Sequence, residues 1–313
     1  MAQHHADIPG RIRVKEVAHP GTWIAAAIVA VVTAMLLHAL VTNRNFQWDI
    51  VWLYFRDVKV IQGIGYTLLL TVAAMVLGTI IALTMAIMRR ASNPVLRSVS
   101  WAYIFVFRGV PVYTQLVFWG LLAVLYPTLS VGIPFGPEFV RFSTAQVVTA
   151  LVAAVVGLGL NEGAYLAEII RAGLESVDAG QTEAAKALGM KPGLILRRII
   201  IPQAMRVIIP PLGNETIGML KTTSLVLAVP FTLDLQFATN AIANRIYAPI
   251  PLLMVAAIWY LVMTSVLMVA QHYLEAYYGR GFSSGGSSRR LRRQAAVNAA
   301  GTTPHEPLPE VEL

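Results

Sequence analysis

Six stretches of this chain are long, apolar and nearly free of charge, and each comes close to the ~20 residues that a helix needs to cross the hydrocarbon of a bilayer. Residues 23–41, 63–88, 142–160 and 249–274 carry no charge, 99–125 carry only Arg108, and 207–230 carry only Glu215 and Lys221. Backbone in hydrocarbon has to satisfy its own hydrogen bonds, so such stretches fold as helices. The residue content agrees: 57% is hydrophobic, 13% is charged, and the mean hydropathy of +0.65 exceeds what one soluble core requires. The expected fold is an all-α integral membrane protein with six transmembrane helices. Residues 23–41 follow Arg11, Arg13 and Lys15 as a signal peptide would. They are too long for a secretory core and lack a small-residue cleavage site, so they read as a retained anchor.

The cations sort by loop. Arg11, Arg13 and Lys15; Arg89, Arg90 and Arg97; Arg171, Lys186, Lys191, Arg197, Arg198 and Arg206; and Arg280, Arg289, Arg290, Arg292 and Arg293 fall on one side of a six-span arrangement. Arg44, Arg56, Lys59, Arg141 and Arg245 fall on the other. The richer side is expected to be cytoplasmic, with both termini, in the plasma membrane of a prokaryote. The net charge of +8 is then explained by topology and by contact with anionic membrane lipid, and no nucleic-acid partner is needed. The chain has no cysteine, and its six histidines are scattered, which removes disulfides, thiolate metal sites and any metal centre from consideration. Residues 1–22 and 278–313 read as cytoplasmic tails, the second basic and disordered. Residues 42–62 read as an extracytoplasmic linker.

The longest cytoplasmic stretch, residues 171–206, is too short to fold as a catalytic domain. Its local signals describe two helices. Asp178 is placed to cap the first, with Gln181 three residues on, and Glu183, Ala184, Ala185, Lys186, Ala187 and Leu188 favour helix. Gly189 suits the left-handed position past its end, Pro192 the first turn of the next helix, and Ile195, Ile199 and Ile200 supply an apolar face that Pro202 closes.

Glu183-Ala184-Ala185, Gly189 and Ile199-Ile200-Ile201-Pro202 resemble the loop signature of the permease family of ATP-binding-cassette (ABC) importers, with isoleucine in the leucine position. The resemblance implies that residues 172–203 are coupling helices docked on an ATPase, with Gln181, Glu183, Ala184, Ala185, Gly189 and Pro202 at the contact. Five further segments resemble the branch importing polar amino acids and related zwitterions: GIGYTLLLT at 63–71, FRGVPVYTQ at 107–115, GAYLAEIIR at 163–171, GQTEAAKALG at 180–189 and LKTTSLV at 220–226. The permease domain so implied covers residues 63–277 as a five-helix core, and residues 23–41 are an extra span.

Polar groups within the spans are costly in hydrocarbon, which makes each a candidate for the pathway or its gate. Asn161, Tyr165 and Glu168 share one helical face, with Arg171 a turn beyond. Glu162 adjoins them. Pro210-Pro211 is expected to break the fifth span near Asn214 and Glu215, with Lys221, Thr222, Thr223 and Ser224 following. Arg108-Gly109-Val110-Pro111, with Gln115 beyond it, suits a gate near the cytoplasmic mouth or a contact to a carboxylate. For Glu168, Arg171 and Lys221 mutual pairing is favoured over substrate contact; for Gln115, Asn161, Glu162, Tyr165 and Asn214 the two readings stand level.

The resemblance implies two permeases, identical or paralogous, on an ATPase dimer, with an extracytoplasmic binding protein delivering cargo. There is no Gly-x-x-x-x-Gly-Lys-Ser/Thr phosphate loop, so ATP and Mg are expected on the ATPase subunits, with no cofactor and no catalytic residue on this chain. The rival reading is an ion-gradient-driven carrier of small polar solutes using Glu162 and Glu215, which needs no docking loop. A membrane-embedded enzyme lacks any nucleophile with a nearby base.

Overall fold

The computed structural model describes residues 20–279. The basic tails, with Arg11, Arg13, Lys15, Arg280 and the 289–293 cluster, lie outside the described residues. Thirteen α-helices and one hairpin form the framework of the described residues: α1 (Pro20–Thr42), α2 (Trp48–Phe55), α3 (Val58–Arg89), α4 (Pro94–Gly109), α5 (Val112–Gly120), the single turn α6 (Leu122–Leu125), β1 (Thr128–Gly132) paired antiparallel with β2 (Glu138–Ser143), the single turn α7 (Thr144–Val147), α8 (Ala150–Glu175), α9 (Ala179–Ala187), α10 (Pro192–Ile195), α11 (Ile201–Thr222), α12 (Leu235–Ile246) and α13 (Pro249–Tyr278).

Four helices, α1, α3, α8 and α13, are long and apolar enough to cross a membrane, and the pair α4 and α5 makes a fifth crossing if its bend of 101° is counted within one span. At 1.5 Å per residue the 32 residues of α3 reach about 48 Å, beyond the ~30 Å of hydrocarbon. Three expected spans are corrected: residues 207–230 form α-helix only to Thr222, where α11 gives way to a 3-10 segment, Thr223–Ala228. Residues 99–125 do not form one straight helix, because Pro111 has no N–H to continue it. Residues 142–160 do not form a span from end to end: residues 142 and 143 finish strand β2, and α8 begins only after Thr149, whose side chain caps it through Val152 N–H. The hairpin's 5- and 6-residue strands are mostly exposed, so no alternation of buried positions marks them in the sequence.

The helices around the fold's centre pack through small residues. Helices α3 and α8 run parallel and touch where a Cβ on Gly78 would lie 3.1 Å from Glu162 Cβ. Close backbone approach of this kind is how helices associate in lipid, where burial of apolar surface offers no drive. Leu70, Leu116, Leu158 and Val226 fill the contact of α3, α5 and α8 with the segment after α11, while Val51, Val60, Leu235 and Leu252 join α2, α3, α12 and α13. Phe55 stacks on Trp259 at 4.7 Å, and the Trp259 indole N–H donates to Phe55 O. Helix α1 stands apart, exposed from Gly21 to Ala39, and the Trp48 indole donates to Leu40 O near its end.

Three prolines at two sites, expected to interrupt helices, do not. Helix α11 runs through Pro210 and Pro211 without a gap. Its neighbours hold it: Gln271 Nε2 on α13 donates to Pro210 O at 3.3 Å and to Asn214 Oδ1 at 3.1 Å, and Ile208 packs on Gly173 of α8. Tertiary contact of this kind overrides proline's local preference in a membrane bundle. Pro202 likewise does not close a helix. The chain passes from α10 through a π turn, Leu196–Ile200, straight into α11, with Ile201 N–H bonded to Leu196 O. The wider turn carries the helix past a residue that has no N–H to give.

Candidate functional site

The site is built on the interruption between α4 and α5. A helical Phe107 carbonyl would accept from the residue four ahead, which is Pro111 and has no N–H. Two side chains take over. Gln115 Nε2 donates to Phe107 O at 2.9 Å and to Val110 O at 2.8 Å, and Asn161 Nδ2 on α8 donates to Phe107 O at 2.9 Å. Tyr103 adds a cross-link through its hydroxyl, which donates to Leu160 O at 2.5 Å. The Arg108–Pro111 element therefore sits beside the middle of α8, held by Asn161 from α8 and by Gln115 from α5.

The turn opens a cavity of about 400 Å³ between α4, α5, α8 and α11. Arg108, Pro111, Asn161, Glu162, Tyr165, Glu215 and Thr222 line it, joined by Gly109, Val110, Val112, Gly218 and Met219. The Arg108 guanidinium lies over the Tyr165 ring, 5.2 Å from its centroid. Glu162 is almost fully buried, and its Oε1 has no hydrogen-bond partner within the protein. One guanidinium and two carboxylates thus face a shared space large enough for a small polar solute.

The remaining candidates lie elsewhere. Gln115 is buried behind the cavity wall, holding the break. Glu168 pairs with Arg171 at 2.8 Å and stands 4.0 Å from Arg89, and Arg171 also meets Glu175 at 2.6 Å. It shares a shallower hollow with Arg108 and Tyr165. Asn214 faces Gln271, away from the cavity. Lys221 is exposed on the outer side of α11, and Ser224 bonds back to Lys221 O. Gly218 was missed in the sequence, yet it lies three residues after Glu215 and four before Thr222, on the same helical face.

In the loop, Asp178 caps α9 through Gly180 N–H at 2.7 Å, Gly189 adopts φ +75°, and Pro192 opens α10. Gln181, Glu183 and Ala184 are exposed, Ala185 is buried inward, and Leu188 projects into solvent at 82% exposure.

A bundle of apolar helices that gathers carboxylates and a guanidinium around an open cavity between its helices has the makeup of a membrane transport protein. Residues 78–278 match the family described as binding-protein-dependent transport system inner membrane component. The chain belongs to this family, as a permease component of an ABC transporter. It is 44% identical over 297 residues to the arginine transport system permease protein ArgU of Corynebacterium glutamicum, covering 95% of this chain and 92% of that protein. It is 33% identical over 239 residues to the L-cystine transport system permease protein TcyB of Bacillus subtilis, covering 76% and 94%. Among solved structures, an amino acid ABC transporter with histidines is 36% identical, superposes with a TM-score of 0.57, and covers 70% of this chain and 94% of that one. The MetNI methionine ABC transporter, at 16% identity and a TM-score of 0.56 over 72% of this chain and 98% of its own, shares the fold.

Proposed function

We propose that this permease passes an amino acid with a cationic side chain through the cavity beside the α4–α5 break. The observation that carries the reading is the cavity's pairing of Arg108 with Glu162 and Glu215. A guanidinium suits an α-carboxylate, and the carboxylates suit an amino or guanidinium group. The arginine permease named above, similar over nearly the whole chain, supports that cargo class.

In this reading the chain has six spans, α1, α3, the bent α4–α5 pair, α8, α11 and α13, with both termini and the α9–α10 loop in the cytoplasm. The loop docks on an ATPase dimer through Gln181, Glu183, Ala184 and the exposed Leu188. Gly189 supplies the tight turn, Ala185 serves from within, and Pro202 lies exposed where the loop enters α11. ATP and Mg belong to the ATPase subunits. A second permease copy or paralogue completes the pathway, and an extracytoplasmic binding protein delivers cargo. ATP binding draws the loops together and turns the cavity outward; hydrolysis resets it. Glu168 and Arg171 steady the inner end of α8.

The test is uptake and ATP hydrolysis in proteoliposomes holding this chain with its ATPase and binding protein, offered arginine, lysine, glutamine or glutamate. Arginine or lysine should stimulate both, and Glu162→Gln or Glu215→Gln should weaken that preference about ten- to hundredfold, the worth of one charge-assisted hydrogen bond. Glu183→Arg and Gly189→Pro should abolish stimulation. Normal transport by the loop variants, driven by an ion gradient without ATP, would overturn the reading in favour of an ion-coupled carrier.

A further inference from the structure

A second cavity, separate from the polar one, lies where the loop meets the bundle. It encloses about 610 Å³ between the C-terminal halves of α3 and α8, the start of α11, and the loop helices α9 and α10. Leu83, Ile87, Ile170, Ile195, Met205 and Ile208 are among its walls, and almost all of its surface is apolar. Two cations, Arg90 and Lys186, border it, and no acidic residue does. Away from those two side chains, water finds few hydrogen-bonding partners along such a wall. At about 30 Å³ for a group of water's size, the volume holds about twenty methylene-sized groups, which is one fatty acyl chain with a little room over.

We propose that this cavity is a binding site for an anionic diacyl phospholipid, with one acyl chain in the apolar cleft and the phosphate between Arg90 and Lys186. Charge complementarity selects the occupant. Two cations beside an apolar cleft between spanning helices attract an anionic headgroup, whereas the unpartnered helix α1 of a second copy, which carries no charge, would bring nothing to meet them. Because α9 and α10 form one wall and α3, α8 and α11 the others, the lipid is a packing element shared by the loop and the bundle. The site rests on this chain's own walls and does not depend on which solute the permease carries.

The experiment is native mass spectrometry of the full-length chain, purified with the subunits that accompany it and titrated with phosphatidylglycerol or with phosphatidylcholine of the same acyl chains. One phosphatidylglycerol per permease chain should be retained in preference to phosphatidylcholine. Arg90→Gln and Lys186→Gln should each weaken that retention about fivefold, and Leu83→Trp, at the half-open edge of the cleft, should displace the lipid with the charges left in place. Both charge variants are at exposed positions, so folding is not at stake in them. Equal retention of the two lipids, or retention unchanged in all three variants, overturns the proposal. A change in permease stoichiometry with Leu83→Trp and no change in bound lipid assigns the cleft to a second copy and overturns it equally.

Discussion

Replacing Gln115 by methionine keeps the side chain's length and removes its donor, which isolates what holds the α4–α5 break open. Val110 O then loses its side-chain donor, and Phe107 O is left with Asn161 alone. A hydrogen bond between membrane helices contributes ~0.6 kcal/mol on average, and the carbonyl of Val110, an exposed residue, falls at the low end of the ~1–3 kcal/mol that an orphaned buried group costs. The single substitution should therefore destabilise the fold by about 1–2 kcal/mol. Asn161→Leu alone should cost less, about 0.6 kcal/mol, since Gln115 still covers Phe107 O. In the double variant Phe107 O has neither donor, and the loss should exceed the sum of the singles by about 1 kcal/mol, within the range for neighbours that share a partner. The assay is a double-mutant cycle read by unfolding in mixed detergent micelles, with transport measured alongside. Strict additivity, together with a Gln115→Met effect below ~0.5 kcal/mol, would refute the idea that these side chains replace the bond Pro111 cannot make.

Gly173→Ala places a Cβ 2.2 Å from Ile208 Cγ1; the clash, about 1–3 kcal/mol, outweighs the ~1 kcal/mol gained in helix propensity. Adding Ile208→Ala should recover much of the loss in thermal unfolding. Glu168→Gln removes partly exposed ion pairs to Arg89 and Arg171, so stability should fall by no more than ~1 kcal/mol and the KM for cargo should stay unchanged; a large KM shift would place Glu168 in the pathway. The Arg141 guanidinium beside Glu138 holds that carboxyl below the usual carboxylate range. The depressed value means the contact is fully present above the ordinary glutamate pKa and is lost as pH falls through the lowered one. Hydrogen exchange in the β1–β2 hairpin should accelerate over that acid window, and not in Glu138→Gln.

Much of the scaffold was legible because its signals are local. Uninterrupted apolar length marked α1, α3 and α13, and the loop's Asp178, Gly189 and Pro192 took the cap, left-handed and first-turn positions their chemistry suits. The hairpin escaped because its strands bury too little to leave a period, and its end merged with the apolar run of α8. Proline misled twice. Pro210-Pro211 and Pro202 were read as stops, yet packing on Gln271 and Gly173, and a π turn, carry the helix through. Pro111, by contrast, does end a straight span, and it does so where Gln115 and Asn161 stand ready to take the orphaned Phe107 carbonyl.

Hydrophobic length and local backbone chemistry, properties of neighbouring residues, settled by sequence alone that this chain lives in a membrane, where its main helices run and which residues are costly in lipid. The tertiary structure decided which of those residues share a space. Helical spacing put Asn161, Tyr165 and Glu168 on one face, but no spacing rule says that Asn161 and Tyr165 meet Glu215, Gly218 and Thr222 across the break at Arg108, or that Lys221 looks outward while Asn214 turns to Gln271. That choice belongs to the packing of helices tens of residues apart, fixed by close contacts such as Gly78 on Glu162, Gly173 on Ile208 and Asn161 on Phe107.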